Sequence, residues 1–149
     1  MIHIESSPAL QQVKPELIEH AALTTLSHQS ADGDLSVVLT DDAQLHQLNR
    51  DYLGVDAPTD VLSFPSSETD PETGVSYLGD VLISVPRAEA QAQSASHPLE
   101  AELQLLVVHG VLHLLGHDHA KPEDKARMWS AQAQVLDKLG LAGLEIIES

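Results

Sequence analysis

His109, His113 and His119 lie in HGVLHLLGHDH, residues 109–119, a stretch that gathers four of the nine histidines of a 149-residue chain. Neutral imidazoles are common ligands for divalent metals, and such clustering in an otherwise apolar stretch points to a metal centre. His109 and His113 are four residues apart, so on a helix their rings share one face with Cβ atoms about 5–6 Å apart. Two Zn–N bonds can bridge that span. His117 continues the row, but at about 1.5 Å of rise per residue it sits roughly 12 Å from His109, too far to share an ion. Gly116 offers another route: a left-handed glycine ends the helix and turns the chain back, so that His119 meets the other two rings. The expected centre is one zinc ion per chain on His109, His113 and His119. Its fourth direction is open, as in catalytic rather than structural zinc sites.

The spacing HxxxHxxGxxH also occurs in metzincin peptidases, where the residue after the first histidine is a glutamate general base. Here that residue is Gly110, so a metallopeptidase-like hydrolase loses support, and no side chain is singled out as the catalytic base. Asp118 is a candidate to orient a ligand ring, and His117 to touch substrate or carry a proton. His97 stands before Pro98 at a helix boundary and reads as structural, while His3, His20, His28 and His46 form no pattern.

The elements that must position these residues follow from periodicity. Ile2 and Ile4, and then Leu35, Val37 and Leu39, alternate with polar residues as strands do, and Pro15 to Leu26 between them reads as a helix. Asp41 or Asp42 caps a second helix that places Leu45, Leu48 and Tyr52 on one face and ends at Gly54. Thr59 to Phe64 and Val75 to Ile83 are two further strands, joined by the polar loop PSSETDPETG. Ser84 and Pro86 open a third helix that breaks at His97-Pro98. Leu99 to Leu115 is apolar around most of its circumference, which marks a central buried helix. Pro122, Glu123 and Asp124 start a last helix with Met128, Trp129, Val135, Leu136 and Leu139 on one face and Gly140 at its end. The expected fold class is α+β: a small mixed sheet of about four strands covered by about five helices, with the central helix carrying the histidines.

Length and composition bound the remainder. Residues 1–149 are expected to form a single domain. Aromatics are 3% of the chain, so the core must be aliphatic, and the absence of cysteine leaves histidine and carboxylate to hold any metal. The N-terminus has neither a basic region nor an apolar core of the signal-peptide kind, and the longest apolar stretch, Leu103 to Leu115, is too short to cross a bilayer. A cytoplasmic location and no membrane partner are expected. Seven Lys+Arg against 23 Asp+Glu give a net charge of −16, which opposes polyanion binding at long range. If RNA is bound, cations among Arg50, Arg87, Lys121, Lys125 and Arg127 must gather on one side of the cleft.

HGVLHLLGHDH, with PTDVLSFP at 58–65 and LGDVLIS at 78–84, resembles the YbeY family of bacterial rRNA maturation factors, from about Leu45 to the last helix. The resemblance implies a metal-dependent, single-strand-directed endoribonuclease acting in 16S rRNA 3′-end maturation and ribosome quality control. It also implies zinc on the three histidines, a small sheet with helices around it, and rRNA and the small ribosomal subunit as partners, with no DNA expected. The family typically follows the tyrosine before PTDVLSFP with an arginine that lines the pocket, where this chain has Leu53. It usually has tyrosine where this chain has His117. In the resembling blocks Asp60 and Asp80 are candidates to hold ligands or backbone. A non-catalytic ribosome-assembly factor with a structural metal site is the alternative from another class.

Overall fold

The structure is a computed structural model that describes residues 1–6 and 13–146. Its elements run β1 (Ile2–Ser6), α1 (Pro15–His28), β2 (Asp34–Thr40), α2 (Asp42–Leu53), β3 (Val61–Pro65), β4 (Tyr77–Ser84), α3 (Val85–Ala95), α4 (Leu99–Leu114) and α5 (Pro122–Lys138). The expected α+β class and the expected order of elements are present, with ends displaced by a residue or two, the ordinary uncertainty of frayed termini. The four strands form one mixed sheet in the order β1-β2-β4-β3. β1, β2 and β4 are parallel, and β3 runs antiparallel along β4 with Val61 opposite Ile83 and Pro65 opposite Gly79.

Strand alternation sorts the side chains onto two faces. Leu35, Val37 and Leu39 of β2 and Val81 and Ile83 of β4 point into the main core with α1 and α4. On the opposite face Leu62 and Leu82 meet Leu45 of α2, with Leu48 and Phe64 at the margin. The helix ends are fixed locally. Asp41 caps α2 by accepting from the Gln44 N–H at 2.8 Å, and Gly54 closes it at φ 71°. The Ser84 side chain caps α3, accepting from the Arg87 N–H at 3.3 Å. Arg87 in turn makes a two-pronged ion pair with Asp42, at 2.8 and 3.1 Å, which ties α3 to α2 and draws the Asp42 carboxyl below its ordinary range.

One expected burial is incomplete. Tyr52, placed by periodicity on one face of α2 with Leu45 and Leu48, is 71% exposed. It lies in the last turn, where its ring meets Phe64 edge-on at the margin of the small apolar cluster and the rest of it faces solvent.

α4 is buried along nearly its whole length, packed by β3, β4, α1, α3 and α5. Gly110 lets it settle on the sheet: a Cβ at this position would stand 2.5 Å from Val81 Cγ1 and 3.3 Å from Ser63 Oγ. The Ser63 hydroxyl donates to the Gly110 carbonyl at 3.0 Å, pinning β3 to the helix at the same spot. Overpacking of this kind costs about 1–3 kcal/mol. Gly110→Ala should therefore lower the urea midpoint by an equivalent amount at unchanged m-value, and a variant as stable as the parent would show that the contact is not tight.

Candidate metal centre

α4 ends in a Schellman turn, and that turn assembles the site. The His117 N–H reaches back to the Leu112 carbonyl at 3.0 Å and the Gly116 N–H to that of His113 at 3.1 Å, with Gly116 at φ 97°. A Cβ on Gly116 would meet nothing within 4 Å, so backbone conformation rather than space calls for glycine. The reversed chain carries His119 back over the helix end, where the Asp118 carboxylate accepts from the His119 backbone N–H at 2.7 Å. The three rings converge: centroid separations are 4.7 Å for His109–His113, 5.5 Å for His109–His119 and 5.2 Å for His113–His119. One ligand nitrogen from each lies within 4.8 Å of the others.

Ring orientation is set by neighbours. The His113 Nδ1–H donates to the His117 carbonyl at 2.9 Å, an acceptor that can only fix the proton on Nδ1. The His109 Nδ1–H donates to Gln132 Oε1 at 3.0 Å inside the core. Both Nε2 atoms then present lone pairs, and they face each other 3.2 Å apart. Two lone pairs so close repel unless a cation lies between them. Two nitrogens each about 2.0–2.1 Å from a tetrahedral zinc would be about 3.3–3.4 Å apart. The donor set therefore fits a divalent ion that favours imidazole. His109 is 5% exposed, and Trp129 walls the group from α5, with its ring 5.9 Å from that of His109 and 5.3 Å from that of His119.

The rings open onto a cleft of about 640 Å³ lined also by Leu53, Thr59, Asp60, Val61, Leu62, Ser63 and Pro65 on the β3 side and by Ile146. Asp60 is the acid on that β3 side. Burial pushes its carboxyl up from the ordinary aspartate value, opposed by hydrogen bonds from the Gln91 amide and from backbone N–H groups. No glutamate lines the cleft among the described residues, so the peptidase arrangement has no candidate base there.

Several expected roles are placed differently. The Asp118 side chain accepts from the His119 backbone N–H, bracing the main chain of the turn. The His117 imidazole turns away from the cleft to Gln29 Oε1 at 2.8 Å and lines a separate hollow with Asp124 and Arg127. Burial, then the nearby Arg127 charge, depress its pKa. Asp80 accepts from the Tyr77 hydroxyl on β4 and is not on the cleft wall. His97 pairs with buried Glu102 at 2.7 Å, which accounts for it structurally. The five cations do not gather: none of them lines the cleft. Arg50, Arg87 and Arg127 are paired with Asp51, Asp42 and Asp124, and Lys125 lies 5.3 Å over the Trp129 ring. Gln132 was not singled out from sequence, although an amide inside the apolar stripe from Met128 to Val135 is the kind of residue that marks a buried partner.

Comparison with known proteins gives a consistent result. The family model "Endoribonuclease YbeY" matches residues 3–140. The chain is 44% identical over 149 residues to the endoribonuclease YbeY of Shouchella clausii, covering 94% of this chain and 91% of that protein. It is 48% identical over 122 residues to the one from Desulfitobacterium hafniense, covering 78% of each. A solution structure of a Thermotoga maritima protein superposes with a TM-score of 0.58 at 26% identity, over 94% of this chain and 92% of that one.

Two outcomes follow from the site. Outer partners of ligand rings typically contribute 10- to 100-fold in metal affinity, so Gln132→Leu should weaken zinc binding by about that factor in a competitive chelator titration while the far-ultraviolet spectrum stays unchanged. Burial, and next the charge of His119, hold the His113 ring below its ordinary 6.5. The folded metal-free protein thus binds fewer protons there than the unfolded chain. The stabilisation is complete above that value and is lost as pH falls through the lowered one. Urea titrations of metal-free protein from about pH 7 to about pH 5 should show a larger loss of stability in the wild type than in His113→Ala.

Proposed function

The chain belongs to the endoribonuclease YbeY family, and from that premise we propose that its cleft cuts single-stranded RNA at a zinc ion held by His109, His113 and His119. The proposed setting is maturation of the 16S rRNA 3′ end and ribosome quality control in the cytoplasm, with rRNA and the small ribosomal subunit as partners and residues 1–149 acting as one domain. The enzyme is an endoribonuclease, a hydrolase of RNA phosphodiester bonds. No helix among the described residues is long and apolar enough to cross a membrane.

The observation that carries the reading is the pair of Nε2 atoms held face to face at 3.2 Å beside a third ring, at the end of an open cleft. Bound there, a divalent ion supplies Lewis acidity, which stabilises negative charge developing on a phosphoryl group. The residues of the chain do the rest. His117, through its carbonyl, and Gln132 keep the ligand rings in the tautomer that leaves Nε2 free to bind. Trp129 excludes water from the far side of His109 and His119. Asp60 stands on the opposite wall, its carboxyl pushed up by burial from the ordinary aspartate value and held by the Gln91 amide. β3 holds that wall against the metal-bearing helix through the bond from Ser63 to Gly110.

The test compares zinc-loaded wild type with His113→Ala on a single-stranded RNA under identical purification. Wild type should cleave, and the variant should lose at least about 100-fold in rate, the scale expected when transition-state charge goes unstabilised. Equal residual cleavage by both would remove the nuclease reading and leave the assembly-factor alternative.

A further inference from the structure

At and just past the C-terminal end of α2, Tyr52, Leu53 and Val55 are exposed by 71, 54 and 49%. Leu53 lines the cleft itself. Tyr52, its neighbour, lies on the far side of the edge strand β3 from the histidines, with its ring braced edge-on by Phe64 at 5.8 Å and 71°. β3 ends the sheet order, so among the described residues no strand pairs with its outer edge. Tyr52 is thus one residue from the cleft lining, on the β3 side of it.

We propose that Tyr52, propped by Phe64, is a stacking platform for a nucleobase of the single strand whose phosphate lies at the histidines. The inference rests on the endoribonuclease reading and adds to it the means by which this chain holds its substrate. Two observations favour a base over another occupant. The chain carries a net charge of −16 and no lysine or arginine lines the cleft among the described residues, so attraction to phosphates supplies little affinity here. Stacking is indifferent to protein charge and to base identity, which suits a strand-directed enzyme. The chain has only one Phe, one Trp and two Tyr, and one of these four is spent in solvent next to the cleft-lining Leu53. Packing against Phe64 limits the conformations of the ring, so little freedom is lost when a base lies on its open face.

The experiment measures binding rather than turnover. Zinc-loaded protein is titrated into a fluorescent 2′-O-methyl oligouridine, which resists cleavage, and into a set of the same strand with one abasic position moved along it. Stacking on one aromatic ring corresponds to roughly 5- to 150-fold in affinity. Tyr52→Ala should bind the intact strand weaker by a factor in that range, with unchanged zinc content, and Tyr52→Phe and Tyr52→Trp should stay within about twofold of wild type. One abasic position should weaken wild type and leave Tyr52→Ala unaffected. Wild-type affinity in Tyr52→Ala, or equal sensitivity of both proteins to every abasic position, overturns the platform. Loss of self-association in Tyr52→Ala with RNA affinity intact assigns the patch to a second copy of the chain and also overturns it. Failure of the parent reading is read separately: wild type that does not cleave natural RNA yet keeps the binding difference still supports the platform.

Discussion

The close approach of α4 to the sheet at Gly110 is the contact on which the rest of the architecture depends. A helix lying this near the Val81 side chain has no room for a side chain at that point, and the same proximity lets Ser63 bond directly to helix backbone. With α4 seated, the rows on its other faces have fixed directions: His109 toward Gln132 and Trp129 of α5, and His113 toward the cleft bordered by β3. The position that carries a glutamate base in metzincins is here a glycine buried in the sheet contact, so the same histidine spacing comes without that base.

The second constraint is the way α4 stops. The Schellman turn returns the chain, brings His119 across the helix end and leaves the His117 carbonyl pointing at His113. A single backbone motif therefore supplies one ring and orients another. α5 completes the enclosure, because Trp129 and Gln132 are three residues apart on that helix, so both present side chains to the histidines from one face.

Much of this was legible in the residues. The period-two run at Leu35–Leu39, the all-round apolar character of Leu99–Leu115 and the punctuation by Asp41, Gly54, Ser84 and Pro122 each have a local cause, and the structure places elements there. The convergence of three rings followed from spacing plus one glycine, because both are properties of a short segment. What could not be read depends on distant partners. Nothing near Asp118 or His117 in sequence says that one braces backbone and the other turns to Gln29, 88 residues earlier. Periodicity put Tyr52 inside because it records the face of a helix and not the extent of the sheet beneath it. The cations failed to gather because each arginine found a nearer carboxylate in an acid-rich chain, a competition that composition announces but does not resolve.

The hydrogen bond from His113 to residue 117 uses a main-chain oxygen, and residue 117 is joined to Leu112 through its main-chain nitrogen. The imidazole of His117 takes no part in either bond. Side-chain identity at this position is thus decoupled from the geometry of the centre: any amino acid that keeps its amide hydrogen preserves both bonds, and proline alone is barred. Evolution can repaint the outside of this turn without touching what the turn does inside.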